Sequence, residues 1–352
     1  MKIAPIQRVM KKYTLIKPML VHTGQHYDQK MSKLFFEDLE LPQPDAYLNV
    51  GSASHARQTA NIMMAFERVV ESEKPELVLV VGDVNSTAAC SLVAAKMGVK
   101  VGHVEAGLRS FDRTMPEEIN RIITDTLSDL LFVTEKSGLE NLKREGIDDS
   151  KVFFTGHVMI DSLIYFLDKS KQSTILNQMS LNGTPYVLVT LHRPSNVDVK
   201  DNLVNLLQAF NKIGKHLKII FPIHPRTSKM ITAFGLDKMV KANPNLILTE
   251  PIGYLDFMKL MQNARLVLTD SGGIQEETTY LRIPCLTMRE NTERPVTVEI
   301  GTNTIVGSDR KKIVSETEKI LQQEGKQGEI PELWDGRAAE RIVRIIMDRL
   351  QD

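Results

Sequence analysis

The sequence has few of the features that mark disulfide-bonded or nucleic-acid-binding proteins. It has only two cysteines, Cys90 and Cys285, far apart in apolar stretches. This excludes a disulfide framework and a paired-cysteine zinc pattern, and predicts two buried thiols in a reducing compartment. The 44 basic residues balance 44 acidic ones. With no basic run or arginine-rich tail, nothing favours nucleic acid or an anionic membrane as a partner.

Long hydrophobic runs are also lacking. No run approaches the ~20 apolar residues that a membrane-spanning helix needs. The N-terminus lacks the uninterrupted apolar segment of a signal peptide. We therefore expect a cytoplasmic protein without a membrane partner. A length of 352 residues, 42% of them hydrophobic, is large for one core and predicts two domains.

Short β-branched runs alternate with helical patterns along the chain. The runs are apolar without alternation, as in strands covered on both faces, and they predict parallel βαβ sheets. They are PELVLVVGD, VKVGHVEAG, DLLFVTEK, KVFFTGH, YVLVTLH, LKIIFPIHP, NLILTEP, LVLTDSGG and IPCLTM. The class is α/β, with two doubly wound domains at residues 1–164 and 165–333 and a last helix at 334–352.

The chain begins with a helical pattern, IAPIQRVMKKY, before the strand-like LIKPMLVHTG. A doubly wound domain ordinarily begins with a strand, so the first strand of the N-terminal domain is expected to be missing. Polar residues follow many predicted strands: Asp83, Glu105, His157, His192, His224, Asp270 and Ser271. Parallel sheets bind ligands at these carboxyl ends, so these residues should line one cleft. Any one of these residues, taken alone, could instead be an ordinary polar loop residue with no role in ligand binding.

The segment LTDSGGIQEET (268–278) combines a strand end, two glycines and a helix start. Helix-start N–H groups suit a phosphate, and Glu276 or Glu277 can reach a ribose diol. A simple helix N-cap is the alternative. The segment is neither a GxGxxG fingerprint nor a Walker loop, so NAD and ATP have no motif.

Other motifs each allow two interpretations. Arg289 and Arg294 could clamp phosphate oxygens or be solvated surface groups. His192 could donate to a leaving phosphate or be a satisfied strand-end histidine. Asp83 could serve the site or cap the helix that follows. His22 and His26 are four residues apart without an acid at ligand spacing, so we predict no metal site.

The segment GHVEAGLRSFDRTMPEEINR (102–121) crowds acids and arginines after a strand. It is either a solvated loop and helix start or a carboxylate-lined site for proton transfer. Together with VHTGQH, GDVNST, VMIDSL, TDSGGIQEE and TERP, it resembles the non-hydrolysing UDP-N-acetylglucosamine 2-epimerases over nearly the whole chain. The resemblance implies two Rossmann-like domains in the glycosyltransferase-B arrangement, with the active site in the cleft between domains and the last helix crossing back.

The resemblance also implies reversible conversion of UDP-GlcNAc to UDP-ManNAc by a homodimer, without a redox cofactor. By motif position, the catalytic residues are Asp83, Glu105, Glu117 and His192. The implied UDP-binding residues are Lys2, Phe257, Ser271, Gly272, Gly273, Glu277 and Arg294. Glu105 and Glu117 are expected to face the sugar, and Arg109, Arg113 and Arg121 to balance and orient those two acids.

The chain departs from the family pattern in three places. The GTRPE turn is not found before Lys2, and His157 stands where the family usually carries asparagine. The segments GSASHARQT and LHRPSN differ from the bacterial members in which a second UDP-GlcNAc acts as activator, so the resemblance does not imply that regulation. Two alternatives use the same fold. A hydrolysing 2-epimerase would release ManNAc and UDP, and a UDP-sugar glycosyltransferase would transfer the sugar to an acceptor.

Overall fold

A computed structural model of the chain describes residues 1–25, 40 and 43–351. The chain divides into two compact units. The N-terminal unit comprises Met1–Ser162 and Glu332–Asp352, and the C-terminal unit comprises Leu163–Pro331. Each unit contains a parallel sheet flanked by helices, which confirms the predicted α/β class. Among the described residues, no helix is long and apolar enough to cross a membrane.

The strands of the N-terminal unit are β1 (Val21–His22), β2 (Ala46–Tyr47), β3 (Leu77–Val81), β4 (Lys100–Ala106), β5 (Leu130–Val133) and β6 (Val152–Phe154). Within the described ranges, β3, β4, β5 and β6 form one parallel sheet in that order, and β1 pairs with β2. Val81 at the end of β3 is in register with Val104 of β4. The residues that follow these two strands therefore lie at the same edge of the sheet.

Helices cover both faces of this sheet. They are Ile3–Met10, His55–Glu73, Asn85–Lys96, Pro116–Leu127, Lys136–Arg144 and Ala338–Gln351, with a 3-10 turn at Asp149–Lys151. The helix Val158–Ser170 begins in this unit, and its residues from Leu163 onward belong to the C-terminal unit. Ile6 and Ile342, from the first and last helices, pack with Phe132 of β5. Ile62 and Ala94 pack in the cluster that contains Val78 of β3. Each fully buried large apolar side chain contributes about 1.5–3 kcal/mol.

The last helix is tied to the N-terminal unit by its start. Both carboxylate oxygens of Asp161 accept hydrogen bonds from that start, from the backbone N–H groups of Ala338 at 3.2 Å and Ala339 at 2.7 Å. Nearby, the buried Trp334 donates its Nε1 proton to the Thr134 carbonyl at 3.1 Å. His157 is 1% exposed and packs edge-on against Trp334. The expectation that His157 lines a ligand cleft is therefore wrong, because this ring belongs to the core.

The strands of the C-terminal unit are β7 (Tyr186–Thr190), β8 (Lys218–Pro222), β9 (Leu246–Thr249), β10 (Leu266–Thr269), β11 (Cys285–Thr287) and β12 (Asn303–Ile305). Within the described residues, the parallel sheet has the order β12-β11-β10-β7-β8-β9. The chain winds outward from β7 through β9, then returns to place β10 on the other side of β7. The point between β7 and β10 is thus a topological switch point, where doubly wound sheets bind ligands.

The helices of the C-terminal unit are Ile175–Gln178, Pro194–Val197, Lys200–Ile213, Pro225–Ala233, Asp237–Lys241, Tyr254–Asn263, Gly272–Leu281, Pro295–Glu299 and Arg310–Leu321. Apolar clusters lie on both faces of its sheet. Cys285 is buried in β11 and Cys90 is buried in the other unit. This burial confirms the prediction of two buried cysteines, and it raises the pKa of each thiol to about 12.

Candidate active site

Two of the predicted acids lie at the carboxyl ends of neighbouring strands of the N-terminal sheet. Asp83 lies in the turn after β3, and Glu105 lies near the end of β4. Gly82 opens the turn with φ of 75°, a left-handed conformation that glycine adopts readily. Val84 occupies the N-cap of the following helix. The alternative interpretation of Asp83 as that cap is therefore wrong.

Glu105 has an uncommon backbone conformation. The pairing of β4 with β5 shifts register between Val104 and Ala106, and Glu105 has φ of 75°. Such bulges re-aim side chains near active sites, and left-handed backbone at a non-glycine residue costs about 1–3 kcal/mol. The Glu105 side chain is buried, and its Oε2 accepts a hydrogen bond from Lys2 Nζ at 2.6 Å. Lys2, expected to face phosphates, thus contacts an acid at the same sheet edge.

The adjacent acids Glu117 and Glu118 have different surroundings. Glu117 is half-buried in the first turn of the helix that follows β4. Glu118 is 1% exposed and accepts hydrogen bonds from the backbone N–H groups of Ser110 and Phe111, both at 2.9 Å. Burial acts to raise the pKa of Glu118, but these bonds and Arg121 outweigh it and hold the pKa low. Glu118 is therefore committed to the loop, which leaves Glu117 as the candidate catalytic acid.

Arg121 joins two carboxylates. Its side chain is buried, and Nη1 donates to Oδ2 of Asp83 at 2.5 Å. Nη2 and Nε donate to Oε2 of Glu118 at 2.6 and 3.0 Å. Arg121 therefore orients Asp83, a different acid from the Glu105 and Glu117 that it was expected to orient.

The other two arginines of the segment do something else. Arg109 is buried and makes a two-pronged contact with Glu145, through Nε at 2.8 Å and Nη2 at 2.6 Å. Its Nη1 lies 2.7 Å from Oδ2 of Asp125. Arg113 is exposed. The prediction that Arg109 orients the catalytic acids is therefore wrong, since Arg109 binds Glu145 and Asp125.

A histidine that the sequence did not single out lies behind the acids. His103 of β4 is fully buried, and its Nδ1 contacts Oδ1 of Asp125 at 2.6 Å. Its Nε2 lies 2.9 Å from the Gly82 carbonyl oxygen. A carbonyl oxygen can only accept, so Nε2 is the donor in this contact. His103 thus fixes the turn that carries Asp83, although its chain position alone made it look like an ordinary strand residue.

At the switch point of the C-terminal sheet, His192 follows β7 and Asp270 follows β10. Nδ1 of His192 lies 2.9 Å from Oδ1 of Asp270, and the His192 side chain is 37% exposed. Asp270 also accepts from the backbone N–H groups of His192 and Arg193, at 3.0 and 2.8 Å. Burial would raise the pKa of Asp270, but His192 and these N–H groups hold it below the ordinary value. Asp270 therefore orients His192 and leaves ring atom Nε2 facing away.

The helix Gly272–Leu281 begins at the same switch point. Ser271 occupies its N-cap position, and the Ser271 N–H donates to Thr269 Oγ1 at 3.0 Å. A Cβ atom at Gly272 would lie 2.7 Å from Oε1 of Glu293, so a larger residue at this position would have to displace the Glu293 carboxylate. Glu293 is held in turn by Arg289 Nη2 at 2.8 Å. The helix N-terminus, with its exposed dipole, suits an anionic group.

The two acids of the QEE segment also differ. Glu276 pairs with Nε of Arg294, and both are buried. Glu277 is 2% exposed and accepts a hydrogen bond from the Tyr254 hydroxyl at 2.8 Å. Tyr254 begins the helix Tyr254–Asn263, which also carries the partly buried Phe257. Tyr254 was not predicted, and the signal that could have found it is its position three residues before Phe257 in the segment GYLDF.

The histidine pair of the VHTGQH motif lies only partly within the described residues. His22 ends β1, whereas His26, its neighbour in the VHTGQH motif, lies outside the described residues. The expectation that these two histidines hold no metal stays a prediction.

Comparison with known proteins gives a consistent result. The family model described as UDP-N-acetylglucosamine 2-epimerase matches residues 8–347. A UDP-N-acetylglucosamine 2-epimerase of Methanocaldococcus jannaschii is 43% identical over 350 residues, which is 98% of this chain and 95% of that protein. A UDP-2,3-diacetamido-2,3-dideoxy-D-glucuronate 2-epimerase of Pseudomonas aeruginosa is 39% identical over 352 residues, covering 98% of this chain and 95% of that protein.

Solved structures agree. The crystal structure of the Methanocaldococcus jannaschii enzyme in complex with UDP-GlcNAc and UDP matches with a TM-score of 0.91 and 43% identity, covering 98% of this chain and 96% of that chain. The Neisseria meningitidis UDP-GlcNAc 2-epimerase bound to UDP-GlcNAc matches with a TM-score of 0.89 and 31% identity, covering 99% of this chain and 96% of that chain. The predicted glycosyltransferase-B type of fold, with two Rossmann-like domains, is confirmed by this likeness.

Proposed function

Because the chain belongs to the UDP-N-acetylglucosamine 2-epimerase family, we propose that it interconverts UDP-GlcNAc and UDP-ManNAc without net hydrolysis. The observation that carries the proposal is that Asp83 and Glu105 lie at the carboxyl ends of neighbouring strands, and that the helix carrying Glu117 contacts Asp83 through Asn120 and Arg121. A reaction at C2 of a 2-acetamido sugar needs several carboxylates, because one proton must leave and another must return from the opposite face.

The C2 proton of the sugar is not acidic, so the reaction needs a leaving group first. When the C1–O bond breaks, its electrons leave with UDP and C1 gains oxocarbenium character, which acidifies the neighbouring C–H. One carboxylate stabilises the cation and another takes the C2 proton. The resulting 2-acetamidoglucal is held with UDP. Protonation of C2 from the other face and re-addition of UDP at C1 complete the inversion.

We assign the nucleotide to the C-terminal unit. The N–H groups of Ser271, Gly272 and Gly273 would receive the diphosphate at the helix start. Arg294 would add a guanidinium there, and His192, oriented by Asp270, would donate to the departing phosphate.

The remaining binding roles follow the same assignment. Glu277 would accept from the ribose hydroxyls, and Phe257 would lie beside the uracil. Lys2 would place its ammonium between Glu105 and the phosphates. The elimination as written moves protons and a leaving group only, so it calls for no redox cofactor. We further propose that the protein acts as a homodimer.

The test is product analysis in heavy water. The proposal requires deuterium at C2 of the UDP-ManNAc formed and also of the recovered UDP-GlcNAc, because elimination is reversible. Product that keeps its original proton would rule out the elimination mechanism. Free ManNAc as the main product would favour the hydrolysing reaction, and transfer to an added acceptor would favour a glycosyltransferase.

The identity of the sugar is tested by a second substrate in the same experiment. The Pseudomonas aeruginosa relative is named for a diacetamido glucuronate, and its reaction also inverts C2. Assaying that UDP-sugar beside UDP-GlcNAc shows which one this chain prefers. Faster exchange with UDP-GlcNAc supports our assignment, and faster exchange with the diacetamido sugar contradicts it.

A further inference from the structure

The helix Pro116–Leu127 contacts the Asp83 turn through two successive residues. Asn120 and Arg121 lie three and four positions after Glu117, so all three fall on one side of the helix. Asn120 Nδ2 donates to the Asp83 carbonyl oxygen at 2.9 Å, and Arg121 Nη1 donates to Oδ2 of Asp83 at 2.5 Å. The helix that carries one candidate acid therefore holds both the backbone and the side chain of another.

Arg121 is itself firmly anchored. Its side chain is 2% exposed and bonds Oε2 of Glu118 through two nitrogens. Glu118 is fixed in turn by the N–H groups of Ser110 and Phe111. A guanidinium keeps its charge and has planar, fixed donor directions, so it holds a carboxylate in one orientation. The Asp83 side chain remains 26% exposed, and Oδ2 is the oxygen that contacts Arg121.

We propose that Arg121 is a positioning residue, which acts through Asp83 by aiming Oδ1 at the C2 proton of the sugar. The inference rests on the proposed function and deepens it. The proton moves between C2 and Oδ1 of Asp83, while Arg121 keeps its own protons throughout. Asn120 supports the same geometry by holding the Asp83 carbonyl. A proton acceptor must lie within hydrogen-bond reach of its proton, so a small rotation of this carboxylate should slow transfer strongly.

The experiment compares full-length variants in heavy water. Arg121→Lys keeps the charge but loses the fork that spans Asp83 and Glu118. Asn120→Ala removes the contact to the Asp83 backbone and leaves the buried ion pairs in place. Arg109→Lys is the matched control, because it removes an equally buried fork that binds Glu145 and Asp125. For each protein, mass spectrometry follows deuterium entry into UDP-GlcNAc, and calorimetry gives the Kd for UDP.

We expect Arg121→Lys to slow deuterium exchange on the order of 100-fold, the loss that a displacement of about 1 Å can cause. Its Kd for UDP should stay within about twofold of wild type, because Arg121 contacts none of the residues assigned to the nucleotide. Asn120→Ala should slow exchange about tenfold. Arg109→Lys should melt at a lower temperature, yet lose much less exchange than Arg121→Lys.

The outcomes separate the two proposals. A wild-type protein that shows no exchange contradicts the proposed function itself. If Arg121→Lys exchanges deuterium as fast as the wild type, the positioning role is wrong. It is also wrong if the exchange rate of Arg121→Lys falls only as much as its affinity for UDP. An equal loss in Arg109→Lys also overturns it, since any buried arginine would then serve. Should Arg121→Lys fail to fold, Asn120→Ala decides, and unchanged exchange in that variant counts against the proposal.

Discussion

At the scale of single residues, Tyr254 gives the sharpest prediction for nucleotide binding. Its hydroxyl donates to Oε1 of Glu277 at 2.8 Å, and both side chains are buried. If the Glu277 carboxylate accepts hydrogen bonds from the ribose hydroxyls, Tyr254 holds that carboxylate in position. Tyr254→Phe should therefore weaken UDP binding roughly tenfold, about 1.4 kcal/mol. Calorimetry with UDP measures this without any need for turnover.

The chain supplies a matched control for this prediction. Tyr186 is also buried, and its hydroxyl donates to the Leu260 carbonyl at 2.5 Å, on the helix that carries Tyr254. Tyr186→Phe should lower stability by about 1 kcal/mol and leave UDP affinity unchanged. The wild type should also prefer UDP over 2′-deoxy-UDP, and Tyr254→Phe should reduce that preference. Equal effects of the two substitutions on UDP affinity would contradict the assignment.

Neighbouring acids show what the sequence could predict at this scale. The strand-end position identified Asp83 and Glu105, and the motif match chose Glu117 over Glu118. Successive helix residues point about 100° apart, so one of two adjacent acids faces inward. Which one does depends on Ser110, Phe111 and Arg121, whose contacts form only when the loop packs. Spacing alone therefore predicted a pair of adjacent acids. It could not predict that Glu118 would bind the loop and that Glu117 would be left as the candidate catalytic acid.

At the scale of secondary-structure elements, Asp125 joins parts that are distant in sequence. Oδ1 contacts His103 of β4 at 2.6 Å, and Oδ2 accepts from the Gly107 N–H at 3.0 Å and contacts Arg109 at 2.7 Å. Removing one partner of a buried charged cluster costs about 3–5 kcal/mol, because the others stay buried. Asp125→Asn should therefore destabilise the N-terminal unit by that amount. The chain's only tryptophan, Trp334, lies in this unit, so its fluorescence reports the unfolding midpoint in urea.

The pH dependence of this effect has a definite sign. Burial acts to raise the pKa of Asp125, but His103 and Arg109 outweigh it and hold the pKa below the ordinary value. A depressed folded-state pKa gives stability that is present above the unfolded pKa, about 3.9, and is lost as the pH falls through the folded value. The difference in midpoint between wild type and Asp125→Asn should therefore be full near pH 6 and shrink below about pH 4. A difference independent of pH would contradict the ionic role of Asp125.

Elements were predictable where burial dictates composition. Every apolar run named as a strand is one. Strands such as β5 and β10 are buried along their whole length, and a strand covered on both faces must be apolar throughout. The strands β2 and β12 were not predicted. They are short, at Ala46–Tyr47 and Asn303–Ile305, and Asn303 is a polar residue that the buried Thr287 hydroxyl satisfies at 2.7 Å. Such strands depend on partners across the sheet, which local sequence does not reveal.

At the scale of the whole molecule, the chain finishes in the unit where it started. Residues from Glu332 onward group with Met1–Ser162, through the Asp161 contacts and the packing of the last helix. The apolar stripe of that helix was predictable from its period: Ala338, Ala339, Ile342 and Ile346 are buried, and Ile345, the fifth predicted member, is partly buried. Its attachment by Asp161 was not, because Asp161 reads in sequence only as part of VMIDSL. A carboxylate that binds backbone N–H groups 177 and 178 residues away leaves no local signal.

The return of the chain makes a prediction about stability. Ile342 is fully buried and belongs to the apolar cluster that contains Ile6 and Phe132. Ile342→Asp would place an unpaired charge in that cluster, a change that costs more than about 4 kcal/mol. Since a domain has only about 5–15 kcal/mol of stability in total, the N-terminal unit should unfold at a much lower urea concentration. The Trp334 fluorescence midpoint measures this shift.

The control lies on the other side of the same helix. Arg344 is exposed, so Arg344→Asp introduces the same side chain where water can solvate it, and its cost should stay within about 0.5 kcal/mol. The contrast separates burial in the cluster from any general effect of an aspartate on the helix. If both variants shift the Trp334 midpoint equally, the last helix contributes by its charge or helicity. If neither shifts it, the helix does not complete the core of the N-terminal unit, and the buried contact between Ile342 and the first helix is not what stabilises it.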